Sequence, residues 1–104
     1  MEIKTVPVPV AGKTAQGLMV SWDGGQFVMI IAEKGVVSCG VVDKVVMERF
    51  DAAVAIARGT PEKPLRTVED LLGAKIADVT QKASSAFGVE VGMKGEVALR
   101  KLCL

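Results

Sequence analysis

Histidine and tyrosine are both absent from these 104 residues, and three phenylalanines with one tryptophan hold the aromatic content to 4%. Without histidine, neither a Ser-His-Asp nor a Cys-His catalytic arrangement can be built from one chain. Any proton transfer would fall to Asp, Glu, Lys or Cys. Cysteine is scarce as well: only Cys39 and Cys103, far apart and with no Cys-x-x-Cys spacing. That is a poor start for zinc, so no metal ligand set is expected and no cofactor is implied. The chain starts Met1-Glu2-Ile3-Lys4, charged and without the long apolar stretch of a signal peptide. With two cysteines, this fits a reducing cytoplasm.

An excess of one charge is missing too. Thirteen Lys and Arg stand against twelve Asp and Glu, a net charge of +1, scattered along the chain. No basic stripe is available to neutralise phosphates, so nucleic acid is not an expected partner. Nor is an anionic membrane surface, and no apolar run approaches the ~20 residues of a membrane span.

Apolar residues, by contrast, are abundant: 50% of the chain is hydrophobic, and there are 11 glycines besides. A chain of this length buries only about 60–70% of the surface its unfolded form exposes. A surplus of apolar side chains over what such a core can hold finds cover against another copy of the same chain. The expectation is one domain over residues 1–104 that self-associates.

The first forty residues read as strands. Ile3–Val10 carries Pro7 and Pro9, whose missing donors fall on one side of a strand, so it belongs at a sheet edge. Ala11-Gly12-Lys13 turns the chain into Thr14–Trp22, where Leu18, Val20 and Trp22 share one face and Met19 and Ser21 the other. Asp23-Gly24-Gly25 is a hairpin turn. Phe27–Ala32 is apolar on both faces and predicts a strand covered on both sides, by helices or by another subunit. Glu33-Lys34-Gly35 turns again into Val36–Cys39.

From Val41 the period changes. Val42, Val45, Val46 and Phe50 fall on one helical face, predicting a helix that packs them on the sheet. Ala52–Arg58 is open between helix and strand. Thr67 with Asp70 forms the start of a short helix ending at Gly73. Ile76, Val79, Ala83 and Phe87 predict one further helix, with an Asp78–Lys82 pair and a C-cap at Gly88. A last helix runs from about Gly95, with Ala98, Leu99 and Leu102 inward. Strands first and helices later predict an α+β fold of N-terminal antiparallel hairpins, a helix, and a C-terminal group of short helices.

Gly35-x-x-x-Cys39-Gly40-x-x-Asp43 and Gly92-Met93-x-Gly95-x-x-Ala98-Leu99 resemble the YunC-like family of small bacterial and archaeal proteins, as does Thr67-Val68-x-Asp70-Leu71-Leu72. The similarity spans the second strand to the last helix; the loop Thr60–Pro64 falls outside it. The family is a domain of unknown function, so no catalytic residue carries over. The resemblance implies that the N-terminal strands, residues 1–39, form an oligomerisation region associated with tetramers. It also favours a short strand over helix at Val54–Arg58.

Chemistry concentrates at one junction. Cys39 ends an apolar strand, and a helix beginning at Gly40 or Val41 would place the thiol beside free N–H groups that stabilise anions and thiolates. Cys39 and Asp43 are the catalytic candidates, and Gly40 and Val41 the candidate ligand-binding helix N-terminus. The commoner role of such a cysteine is that of a small buried hydrophobe. Asp43 more often simply favours the positive helix end, and Gly40 is explained by a turn without room for Cβ. Gly12-Lys13-Thr14 imitates a P-loop tail, but a strand follows it. Leu18, Val20, Trp22, Phe27, Met29 and Ile31 are the candidate interface residues. Two readings follow: a homo-oligomeric structural or interaction module, expected as a tetramer, or a small-molecule enzyme or anion-binding protein working at Cys39.

Overall fold

A computed structural model describes residues 1–103. The elements are β1 (Glu2–Val10), β2 (Lys13–Trp22), β3 (Gly25–Ile31), β4 (Val36–Ser38), α1 (Lys44–Arg49), β5 (Val54–Ala57), α2 (Val68–Gly73), β6 (Ile76–Val79), α3 (Gln81–Phe87) and α4 (Gly95–Cys103). The six strands form one sheet in chain order, antiparallel throughout except for the parallel pair β4–β5. A parallel pair needs a crossover, and α1 lies in it. The fold is α+β, strands first and helices later. Among the described residues no helix is long and apolar enough to cross a membrane.

The turns explain the meander. Ala11 and Gly12 (φ 51° and 77°) join β1 to β2, and Trp22 pairs with Gly25 across an Asp23-Gly24 turn with Gly24 at φ 111°. Both central residues of the first turn are left-handed, as two-residue hairpins favour. β1 lies at the sheet edge. There Pro7 and Pro9, which lack N–H groups, take nothing from the ladder with β2.

One face of the sheet is sealed. Val8, Ala15, Val28, Ile30, Val37, Ala55 and Ala57 point to that face and pack under Val68 and Leu71 of α2 and Leu99 and Leu102 of α4. Small residues let the helices approach. A Cβ on Gly17 would run into the Val68 side chain, and one on Gly95 into the Leu71 carbonyl oxygen.

Two expectations are corrected. The helix after Cys39 starts only at Lys44 and ends at Arg49, and none of its residues is buried. Val45 and Phe50 are 61% and 76% exposed, so the valine stripe is not the packing face; Val42, Lys44 and Met47 are the half-buried positions. The single helix expected across Ile76–Phe87 divides into β6 and α3, with Thr80 between them. Asp78 therefore pairs with Lys44 (3.2 Å) and Lys82 with Asp51 (3.1 Å), not with each other. Pairing of β6 with β5 decides this, because Ala55 faces Val79 and Ile56 faces Asp78 across a ladder no helix could supply.

The open question at Ala52–Arg58 resolves as strand. All four β5 residues are buried, between β4 and β6 and on both faces. Thr80 anchors the strand's start: its hydroxyl donates to the Ala52 carbonyl (2.7 Å) and accepts from the Val54 N–H (3.0 Å).

Candidate functional site

Cys39 follows directly on β4 and closes its ladder with β3. Its N–H donates to the Val28 carbonyl at 3.1 Å. The reciprocal bond, from the Val28 N–H, goes to the Cys39 sulfur at 3.4 Å. The Cys39 carbonyl instead accepts from the Ser38 hydroxyl at 2.9 Å. The thiol thus stands in for a backbone acceptor at the end of a ladder, and Cys39 is 8% exposed.

The expected helix N-terminus at Gly40 and Val41 is not there. Residues 40–42 form a turn, and Asp43 is the N-cap, its carboxylate accepting from the Val45 N–H at 2.9 Å. The physical reason is the cap itself: Asp43 has extended backbone (φ −89°, ψ 115°), from which helical geometry begins one residue later. Asp43 therefore serves the helix start. Gly40 is not in a left-handed conformation, and an added Cβ would meet only Arg58 Cγ at 3.6 Å, an ordinary contact. The turn does not require glycine for want of room.

Cys39, Gly40 and Val41 do share the wall of one groove of about 510 Å³, and Asp43 lies outside it. Across from them stand Arg58, Gly59, Thr60 and Leu65, which the sequence reading did not single out. The available signal was Arg58-Gly59 directly after an apolar strand: the parallel register of β4 and β5 brings both strand ends to the same edge of the sheet. Among the described residues no cluster of three His, Cys, Asp or Glu side chains is arranged to hold a metal.

The interface candidates fall together. In the register, Leu18 faces Met29 and Val20 faces Phe27, with Ile3 beside Val20 on β1. By strand alternation these side chains, with Trp22 and Ile31, point away from α2 and α4. Leu18, Val20, Phe27 and Met29 are half-buried, while Trp22 and Ile31 are 48% and 45% exposed. The Trp22 indole lies over Gly25, its cross-strand partner, and meets Phe27 edge-on with ring centres 6.1 Å apart. α1 crosses on this same side of the sheet, since Lys44 reaches Asp78, the partner of the buried Ile56.

Two carboxyls are held below their ordinary range. Asp70 accepts at one oxygen from the Arg66 and Thr67 N–H groups, each at 3.1 Å, and those bonds lower its pKa against a smaller opposing effect of burial. With Thr67 accepting from the Asp70 N–H, this completes a capping box for α2. Asp78 is lowered chiefly by its hydrogen bond to Lys44. Burial pushes the Cys103 thiol up, partly offset by Lys13.

Among relatives, the chain is 26% identical over 100 residues to "Uncharacterized protein YunC" of Bacillus subtilis (strain 168), covering 96% of this chain and 97% of that one. Its fold matches the crystal structure of a protein of unknown function, TA1206 from Thermoplasma acidophilum, with a TM-score of 0.86 at 20% identity, over 97% of this chain and 93% of the other. Residues 38–102 match the profile of the domain of unknown function DUF1805. That stretch takes in the Cys39–Gly40 turn, β5, α1 to α3 and all but the last residue of α4, and the chain belongs to this YunC-like family of unknown function.

Proposed function

We propose that the protein is a homo-oligomeric structural or interaction module of the cytoplasm, one domain that assembles as a tetramer through its N-terminal strands, residues 1–39. The observation that supports this is the contrast between the two faces of the sheet. One is sealed by α2 and α4; the other, across β1–β3, presents Ile3, Leu18, Val20, Trp22, Phe27, Met29 and Ile31.

No charged side chain interrupts that second face. The remaining positions on it are Thr5, Pro7, Pro9, Thr14, Gln16 and Gly25. Two copies can therefore meet face to face without burying an unpaired ion, which is costly. A charged partner would find nothing there to pair with. Extension along the β1 edge is the weaker route, because Pro7 and Pro9 offer no donors to an added strand.

Three strands of this length span roughly 30 Å by 14 Å at ordinary spacings. That is about half of the ~800 Å² per partner of a standard interface. On the same side, the exposed apolar side chains of Val45 in α1 and Phe50 at its C-cap enlarge the surface.

Light scattering coupled to size exclusion tests the reading. The expected mass is four times the 10.9 kDa of one chain. Met29→Glu should shift it to smaller species with an unchanged far-ultraviolet spectrum. A wild-type monomer at micromolar concentration overturns the proposal.

A further inference from the structure

The groove beside Cys39 does not end there. A second concavity, of about 540 Å³, adjoins it and shares Arg58, Thr60, Pro64 and Leu65. Both are open to solvent rather than enclosed. Along that shared wall the two concavities form a trough from the ends of β4 and β5 to Lys75.

Its cations are available. Lys63 and Lys75 line the second concavity, and among the described residues neither has a carboxylate within ion-pairing distance. Arg58 is the cation that the two concavities share. Its one carboxylate partner, Asp78, is a long contact of 3.9 Å through Oδ2, while Lys44 holds Oδ1 at 3.2 Å. The Arg58 stem passes near Gly40, at ordinary van der Waals reach of where a Cβ would stand. A guanidinium whose one ion pair is this long, on a side chain 55% exposed, keeps N–H groups free for a carboxylate or phosphate, which it can bind through two parallel N–H bonds.

The other walls fit the same ligand. The Thr60 hydroxyl accepts from the Lys63 N–H at 3.1 Å, leaving its own proton free to donate. Pro64 and Leu65 offer an apolar surface. On the acidic side, Asp70 is occupied by two backbone N–H groups at 3.1 Å, and Glu69 stands at the wall of the second concavity.

We infer that this trough binds a small organic anion, its carboxylate or phosphate head on Arg58 and the Thr60 hydroxyl and its short apolar body on Pro64 and Leu65. The site differs from a helix N-terminus beside Cys39: the cation is the side chain of the residue after β5, and the thiol is a wall rather than a reactant. It does not depend on how the chains assemble.

Backbone amide NMR of the full chain tests the inference, with butyrate and inorganic phosphate as probes and sodium chloride at matched ionic strength as control. Saturable shifts at the Gly40, Gly59 and Thr60 amides are expected with one probe or both, and the probe with the lower midpoint identifies the head group. Arg58→Gln, at a half-exposed side chain, should weaken binding by about tenfold or more while leaving the Gly12 amide in place. Thr60→Val should weaken it by a smaller factor. Shifts that follow the chloride control, or that persist unchanged in Arg58→Gln, overturn the inference.

Discussion

The sulfur of Cys39 accepts the Val28 N–H at 3.4 Å, in the place where a continued β3–β4 ladder would put a carbonyl. A thiol is a weak acceptor, yet the Val28 amide is buried and has no water to turn to. Cys39→Ala should cost about 1–3 kcal/mol in chemical denaturation, chiefly from that orphaned donor. Hydrogen exchange at the Val28 amide should speed up more than at Ile30. Unchanged exchange at Val28 would show that the sulfur contributes nothing to the ladder.

Thr80 was missed as a structural residue because it lay inside what reads as one helix. It is fully buried, and its hydroxyl serves the Ala52 carbonyl and the N–H groups of Val54 and Ala83. Thr80→Val keeps the shape and removes every one of those bonds. A loss of about 1–3 kcal/mol is expected, with Thr80→Ser losing less. A loss below about 0.5 kcal/mol, the scale of neutral surface changes, would contradict the assignment.

Two glycines in adjacent elements should respond in opposite directions. Gly95→Ala drives a methyl into the Leu71 carbonyl oxygen, backbone that cannot swing aside, and should destabilise by about 1–3 kcal/mol. Gly73 ends α2 with nothing within 4 Å of an added Cβ and no left-handed backbone. Gly73→Ala should therefore stabilise by a few tenths to about 1 kcal/mol, through helix propensity and a less flexible unfolded chain. Urea midpoints of the two variants decide the point.

Acid should weaken the fold through Asp70 and Asp78. Both carboxyls sit below their ordinary value of 3.8 in the folded chain. A depressed pKa contributes stability above the unfolded value, and that contribution is lost as pH falls through the folded one. Melting temperature should thus drop on acidification below about pH 4. Asp70→Asn should be less stable at neutral pH and show a shallower acid decline, the Asp78–Lys44 share remaining. An acid decline as steep as wild type would place the sensitivity elsewhere.

Phe50 and Val45 touch little within one chain, so Val45→Ser and Phe50→Ser should leave the stability of a dissociated chain within about 0.5 kcal/mol. The same substitutions should lower the mass seen by light scattering if α1 extends the association surface. Unfolding of the dissociated variants would mean that the α1 valines pack inward after all.

Local patterns determined the hairpins, the edge position of β1, the Thr67–Asp70 capping box, the Gly88 cap (φ 72°) and the buried stripe of α4. Each depends on residues within a few positions of one another, where turn chemistry, a missing proline donor or a 3.6-residue period acts directly. Three things were decided only by tertiary structure. Ile76–Val79 became a strand because β5 presents an edge that a helix could not pair. The Val45–Phe50 stripe turned outward because α1 meets the sheet with its other face, where Met47 is half-buried and Lys44 pairs with Asp78. Arg58 joined Cys39 across one groove because β4 and β5 run parallel, a neighbourhood made by a crossover between residues nineteen positions apart and invisible to any local pattern.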